Sequence, residues 1–130
     1  MKILVGYNQT AAAKAALSLA GDHALCFNAK VYIMTSMEGG TSETLEEIEK
    51  VEKKLQEAGQ LLQEKGVEFE THQLARGMAP GEDLVRFAEE KEIDLVFVGI
   101  KKKSRAQKII LGSTAQYIIL RAPCPVTTVK

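Results

Sequence analysis

Five cations, Lys101, Lys102, Lys103, Arg105 and Lys108, precede the tripeptide Gly112-Ser113-Thr114, and all of them follow an apolar run that ends at Gly99. Glycine permits close backbone approach, and the free amides of a helix start lie at the positive end of its dipole. With two hydroxyls added, the tripeptide has the chemistry of a phosphate cradle. The basic loop would draw a polyphosphate and neutralise it. The same tripeptide also reads as a simple helix N-cap, and the same cations as solvated surface; at this level both readings stand.

Other reactive residues point to less. No set combines a nucleophile, a general base and an oxyanion donor, so no catalytic residue is assigned, and Ser113 suits holding a phosphate better than attacking one. His23 and His72 stand far apart without carboxylates at ligand spacing, and read as helix-end and strand-surface polar residues rather than a metal site. Cys26 and Cys124 form no CxxC pair and read as small buried residues, not nucleophiles. Met34, Met37 and Met78 flank the crevice described below and read either as packing or as lining for a flat ring.

The elements that must position these groups alternate. Ile3 to Tyr7 is apolar on both faces, as a central strand would be, and gives way to an alanine-rich helix over 11–24 with Thr10 as its N-cap and Asn8 as the competitor. Ala29 to Met34 repeats the strand pattern. After Gly39-Gly40 comes an amphipathic helix of about 20 residues with Leu45, Ile48, Val51, Leu55, Ala58 and Leu62 on one face. Thr41, Ser42 and a capping box from Thr44 to Glu47 mark its start, and Gly66 its end. Val67 to Leu74 alternates like a strand near a sheet edge. Pro80 opens a third helix, Ile93 to Val98 forms a fourth strand, Gly112-Ser113-Thr114 starts a fourth helix through Leu120, and Val126 to Val129 offers a last strand.

The order βαβαβαβαβ calls for parallel pairing with right-handed crossovers, hence an open five-stranded parallel sheet with helices on both faces, in a single domain over 1–130. In such a sheet a ligand sits beyond the carboxyl ends of the strands where the strand order reverses, which nominates Gly6 to Thr10 and the chain from Gly99 onward. Neither GxGxxG after the first strand nor GxxxxGK[ST] is present, which argues against the dinucleotide and P-loop folds.

Composition narrows the function class. The chain has 130 residues, 45% hydrophobic and 26% charged, and its 17 basic and 17 acidic side chains cancel. The cancellation hides a split: residues 1–100 carry 17 acidic against 10 basic side chains, a net of −7, while residues 101–130 carry seven basic and no acidic ones, a net of +7. One basic loop without aromatic residues to stack bases is a poor nucleic-acid footprint. With no long apolar run and no leader pattern, a reduced, cytoplasmic protein without membrane attachment is expected.

These features together resemble the universal stress protein family, whose members have a first strand similar to Ile3-Leu4-Val5, then Asp-Gly-Ser, and end similarly to Ala122-Pro123-Cys124-Pro125-Val126. The family's nucleotide signature, Gly, two residues, Gly, nine residues, Gly-Ser, falls on Gly99, Lys102 and Gly112-Ser113, and Gly77 and Pro80 match ahead of the third helix. The resemblance covers residues 2 to 130 and implies an adenine nucleotide alpha hydrolase-like fold. It also implies a stress-response protein that binds ATP, AMP or another adenine nucleotide, with magnesium only as the nucleotide's companion, and acts as a ligand-dependent regulatory or interaction module.

By the same resemblance, Ser36 and Val98 would hold the adenine edge through their backbone, and Asn8, Gly99, Gly112, Ser113 and Thr114 would meet ribose and phosphates. A homodimer through the Val126 to Val129 edge strand is implied as well. Two positions depart from the family pattern. Lys102 replaces the middle glycine and would either obstruct the ligand or answer its phosphate charge. Asn8 replaces an aspartate, with Gln9 and Thr10 in place of Gly-Ser. A homodimer of the same fold that binds no nucleotide is therefore the alternative, and slow ATP hydrolysis the third reading.

Overall fold

A computed structural model describes residues 1–37, 44–101 and 111–130. Gly39-Gly40, Thr41, Ser42, Lys102, Lys103, Arg105 and Lys108 lie outside the described residues. The elements run β1 (Lys2–Gly6), α1 (Ala11–Phe27), β2 (Lys30–Met37), α2 (Leu45–Glu64), β3 (Phe69–Ala75), α3 (Pro80–Glu90), β4 (Leu95–Gly99), α4 (Ser113–Arg121) and β5 (Val126–Val129). The strands form one parallel sheet in the order β3-β2-β1-β4-β5.

β1 is central, and Ile3, Leu4 and Val5 are wholly buried, as its two-sided apolar character requires. One face of the sheet, with Ile3, Val5, Val31, Ile33 and Phe97, packs against α1 and α2. The other, with Leu4, Tyr32, Met34, Val96 and Val98, packs against α3 and α4. The chain first builds leftward from β1 to β3, then crosses back to β4 and β5; one handedness of crossover run in two directions places helices on opposite faces. The reversal point lies between β1 and β4.

Local signals decide the helix ends. Thr10 Oγ1 accepts from the Ala13 amide and caps α1. Thr44 and Glu47 close a full capping box on α2, Gly66 follows that helix with φ 77°, and Pro80 occupies the first turn of α3. The proposed apolar face of α2 is buried only in its second half, at Leu55, Ala58 and Leu62; Leu45 is 71% exposed because the helix begins before it reaches the sheet. β3 is an edge strand, as its alternation suggests, but His72 is half-buried between Phe87 and Tyr32, with ring centroids 4.9 and 6.1 Å away, rather than on an open surface. Cys26 is exposed, not buried, on the last turn of α1.

Candidate functional site

At the carboxyl ends of β1, β2 and β4 a cavity of about 370 Å³ opens, within the roughly 300 to 1,000 Å³ typical of small-molecule sites. Met34, Leu84, Val98 and Ile118 give it an apolar lining continuous with the α3/α4 side of the core. Asn8, Thr10, Thr35, Ser36, Lys101 and Thr114 supply the polar lining. This combination suits a ligand with a flat apolar part and a charged one.

Three helix N-termini meet here. Thr10, the cap of α1, Pro80, the first residue of α3, and Gly112, the cap of α4, all line the cavity. α4 lacks a side-chain cap, so the amides of Ser113, Thr114 and Ala115 have no acceptor within the helix; the first intrahelical bond runs from the Gln116 amide to the Gly112 carbonyl. Their dipoles and the Lys101 ammonium make this end of the cavity favourable to an anion.

The glycines divide by cause. A Cβ on Gly99 would stand 2.5 Å from the Ala13 amide nitrogen and 2.6 Å from the Ala12 carbonyl oxygen, so the end of β4 must be glycine for α1 to pack on it. Gly112 has an ordinary extended backbone, φ −64° and ψ 160°, and a Cβ there would meet no described atom within 4 Å. Among the described residues, nothing in the fold demands glycine at 112.

After β1 the chain turns through Gln9, whose φ of 67° is the left-handed conformation that glycine adopts freely and that costs another residue about 1 kcal/mol. The Asn8 Oδ1 steadies the turn by accepting from the Thr10 hydroxyl at 2.8 Å and its amide at 3.4 Å. Tyr7 is buried beneath it, and burial, followed by the charge of Glu57, raises its phenol pKa and keeps it neutral.

Of the residues nominated from sequence, the fold brings Asn8, Ser36, Val98, Gly99, Gly112 and Thr114 around one cavity. Ser113 does not line it, and its side chain is exposed on α4. Lys102 lies outside the described residues. Met34 contributes to the lining, whereas Met37 and Met78 do not. The Cys124 thiol is pushed up in pKa by burial and then by the Asp94 charge, the opposite of what a nucleophile needs.

The sequence reading missed Asp83 and Arg76. Asp83 is wholly buried on α3. Its Oδ2 accepts from the Ser36 hydroxyl at 2.6 Å and its Oδ1 from Arg76 Nε, also at 2.6 Å. Arg76 extends the chain of contacts to Glu90 at 2.7 Å. Burial works against the Arg76 charge, but hydrogen bonds to Glu90 and Asp83 outweigh it and raise its pKa. A signal was present: Asp83 stands four residues before Phe87, in helical phase with it on the face that must be buried.

Comparison with known proteins agrees with this geometry. The Universal stress protein family model matches residues 1–130. Universal stress protein MJ0531 of Methanocaldococcus jannaschii is 32% identical over 130 residues, an alignment that covers 92% of this chain and 73% of that protein. A universal stress protein structure from Archaeoglobus fulgidus superposes with a TM-score of 0.90 at 33% identity, over 100% of this chain and 93% of that one. A second from the same organism, in complex with dAMP, gives 0.87 at 30% identity, over 100% and 98%. The chain belongs to the universal stress protein family.

Proposed function

We propose that the chain binds ATP, AMP or another adenine nucleotide in the cavity between β1 and β4 and acts as a ligand-dependent regulatory or interaction module of the cytoplasm. The observation that carries this reading is Gly112: a glycine that no described neighbour requires, at the uncapped, amide-bearing start of α4, facing an apolar cavity beside Lys101. The dAMP complex of the related Archaeoglobus fulgidus protein supports it. In this reading the phosphates meet Gly112, the Ser113 amide and Thr114, the sugar lies near Asn8 and Gly99, and the base lies toward Ser36 and Val98.

Magnesium would arrive only as the companion of the ATP phosphates. No residue is assigned to hydrolysis. Calorimetric titration of nucleotide-free protein with ATP and AMP, with mass analysis of any retained ligand, tests the reading. It also decides against the alternative, a dimer that binds no nucleotide.

A homodimer through β5 belongs to the same proposal and has its own support. The sheet has two edges, and β3 carries Glu70, ion-paired to Lys30, as a charged guard against pairing. β5, Val126-Thr127-Thr128-Val129, carries no charge, and the helix leading into it leaves Leu120 78% exposed. Val126→Lys is expected to halve the particle mass measured by sedimentation at micromolar protein. An unchanged mass would move the interface elsewhere.

A further inference from the structure

We propose that the outer edge of β3 is a second binding surface, which takes a basic, extended peptide of a partner protein as an added strand. It lies apart from the cavity, and the nucleotide reading does not depend on it. β3 pairs with β2 on one side only. In this parallel ladder Val31 stands opposite Phe69, and its amide donates to the Glu68 carbonyl at 2.9 Å. The even-numbered residues of β3 therefore turn their backbone groups toward β2, and Phe69, Thr71 and Gln73 turn theirs outward. Among the described residues, those outward amides and carbonyls meet no other backbone group.

The two faces of this edge differ. On the α2 side a groove of about 570 Å³ lies between helix and strand, with Gly59 and Phe69 at its base and Gln60, Gln63, Glu64 and Thr71 along it. Gly59 lets the helix sit on the ring, since a Cβ there would stand 2.6 Å from Phe69 Cε2. On the α3 side Glu70 shares its face with His72, whose ring meets Phe87. Glu68 and Glu70 share one cation, the Lys30 ammonium. Two carboxylates against one ammonium, with Glu64 at the groove, leave the edge acidic.

This charge decides the occupant. A second copy would set carboxylates against carboxylates, which destabilises a strand pair. A segment of alternating lysine and β-branched residues instead sets ammonium groups against Glu68 and Glu70, lays its β-branched side chains over Phe69, and gives its main chain to Thr71 and its neighbours. In strand addition the main-chain bonds supply affinity and the alternate side chains specificity.

The probe is a capped peptide, Lys-Thr-Lys-Val-Lys-Thr-Lys, matched in length to the 7 residues of β3. The controls are its Glu-for-Lys counterpart and the same basic peptide N-methylated at its central amides, equal in charge but unable to donate there. By fluorescence anisotropy the basic peptide is expected to bind about tenfold or more tighter than either control. Hydrogen exchange should slow at the Thr71 and Gln73 amides. Thr71→Pro, which an edge strand tolerates where the amide faces water, should keep its circular dichroism and bind the peptide about tenfold or more weakly. Equal binding of the N-methylated peptide would mean attraction by charge alone and would overturn the inference. So would protection at Thr128 of β5 in place of Thr71, unchanged affinity in Thr71→Pro, or no binding at millimolar peptide.

Discussion

Gly99→Ala is expected to destabilise the protein by about 3 kcal/mol or more, measured as the shift in the urea unfolding curve. The added methyl would stand 2.5 Å from the Ala13 amide nitrogen and 2.6 Å from the Ala12 carbonyl oxygen, and a backbone turn capped by Thr10 has no side chain to move aside. Either β4 or α1 must shift, and Phe97, wholly buried two residues earlier, shifts with it. Gly6→Ala is the internal control. Its Cβ would meet Leu84 Cδ1 at 2.6 Å, but that is the end of a flexible side chain, so a loss of only about 1 kcal/mol is expected. Equal losses at the two positions would contradict the assignment of Gly99 to helix packing.

Asp83→Ala is the second large effect, an expected loss of about 2 to 3 kcal/mol. Removing one partner of a buried ion pair strands the other, which typically costs roughly 3 to 5 kcal/mol. The lower figure applies because the Arg76 side chain is 29% exposed and water recovers part of its charge. The Ser36 hydroxyl also loses its acceptor. Glu90→Gln, at the half-exposed end of the same chain of contacts, should cost no more than about 0.5 kcal/mol. A loss below about 0.5 kcal/mol for Asp83→Ala would show that the Arg76 link is ornamental to stability.

How far the molecule was legible from its sequence depends on whether the cause is local. The strand and helix alternation was legible because two-sided apolar runs, such as Ile3 to Val5, and caps such as Thr10 and Thr44-Glu47 act within a few residues. The depth of burial along α2 was not, since a periodic apolar face does not reveal where a helix overruns its sheet; Leu45 and Ile48 continue the pattern and lie exposed.

The candidate site divides in the same way. Gly6 to Thr10 and the chain from Gly99 onward could be nominated because topology brings those strand ends together, and Asn8, Gly99, Gly112 and Thr114 line the cavity that forms there, whereas Ser113 does not. The reason for Gly99 was hidden, because the backbone it accommodates belongs to α1, more than eighty residues earlier. The Ser36, Asp83 and Arg76 link joins three elements through side-chain geometry, and only the phase of Asp83 on α3 hinted at it. The +7 of the last 30 residues takes on a location in part: Lys101 lines the cavity mouth.

The central claim, that an adenine nucleotide occupies this cavity with its phosphate on the α4 amides, is tested most directly by calorimetric titration of nucleotide-free parent protein and Gly112→Ser with ATP and AMP. Serine is a better N-cap than glycine, so this variant should fold with equal or slightly greater stability, by a few tenths of a kcal/mol. Its side chain would nevertheless occupy the ligand's approach and claim an α4 amide. Saturable binding by the parent protein, weakened about tenfold or more in the variant at undiminished stability, is the predicted result. No saturable binding to the parent at millimolar nucleotide, or equal affinity in the two proteins, would contradict it.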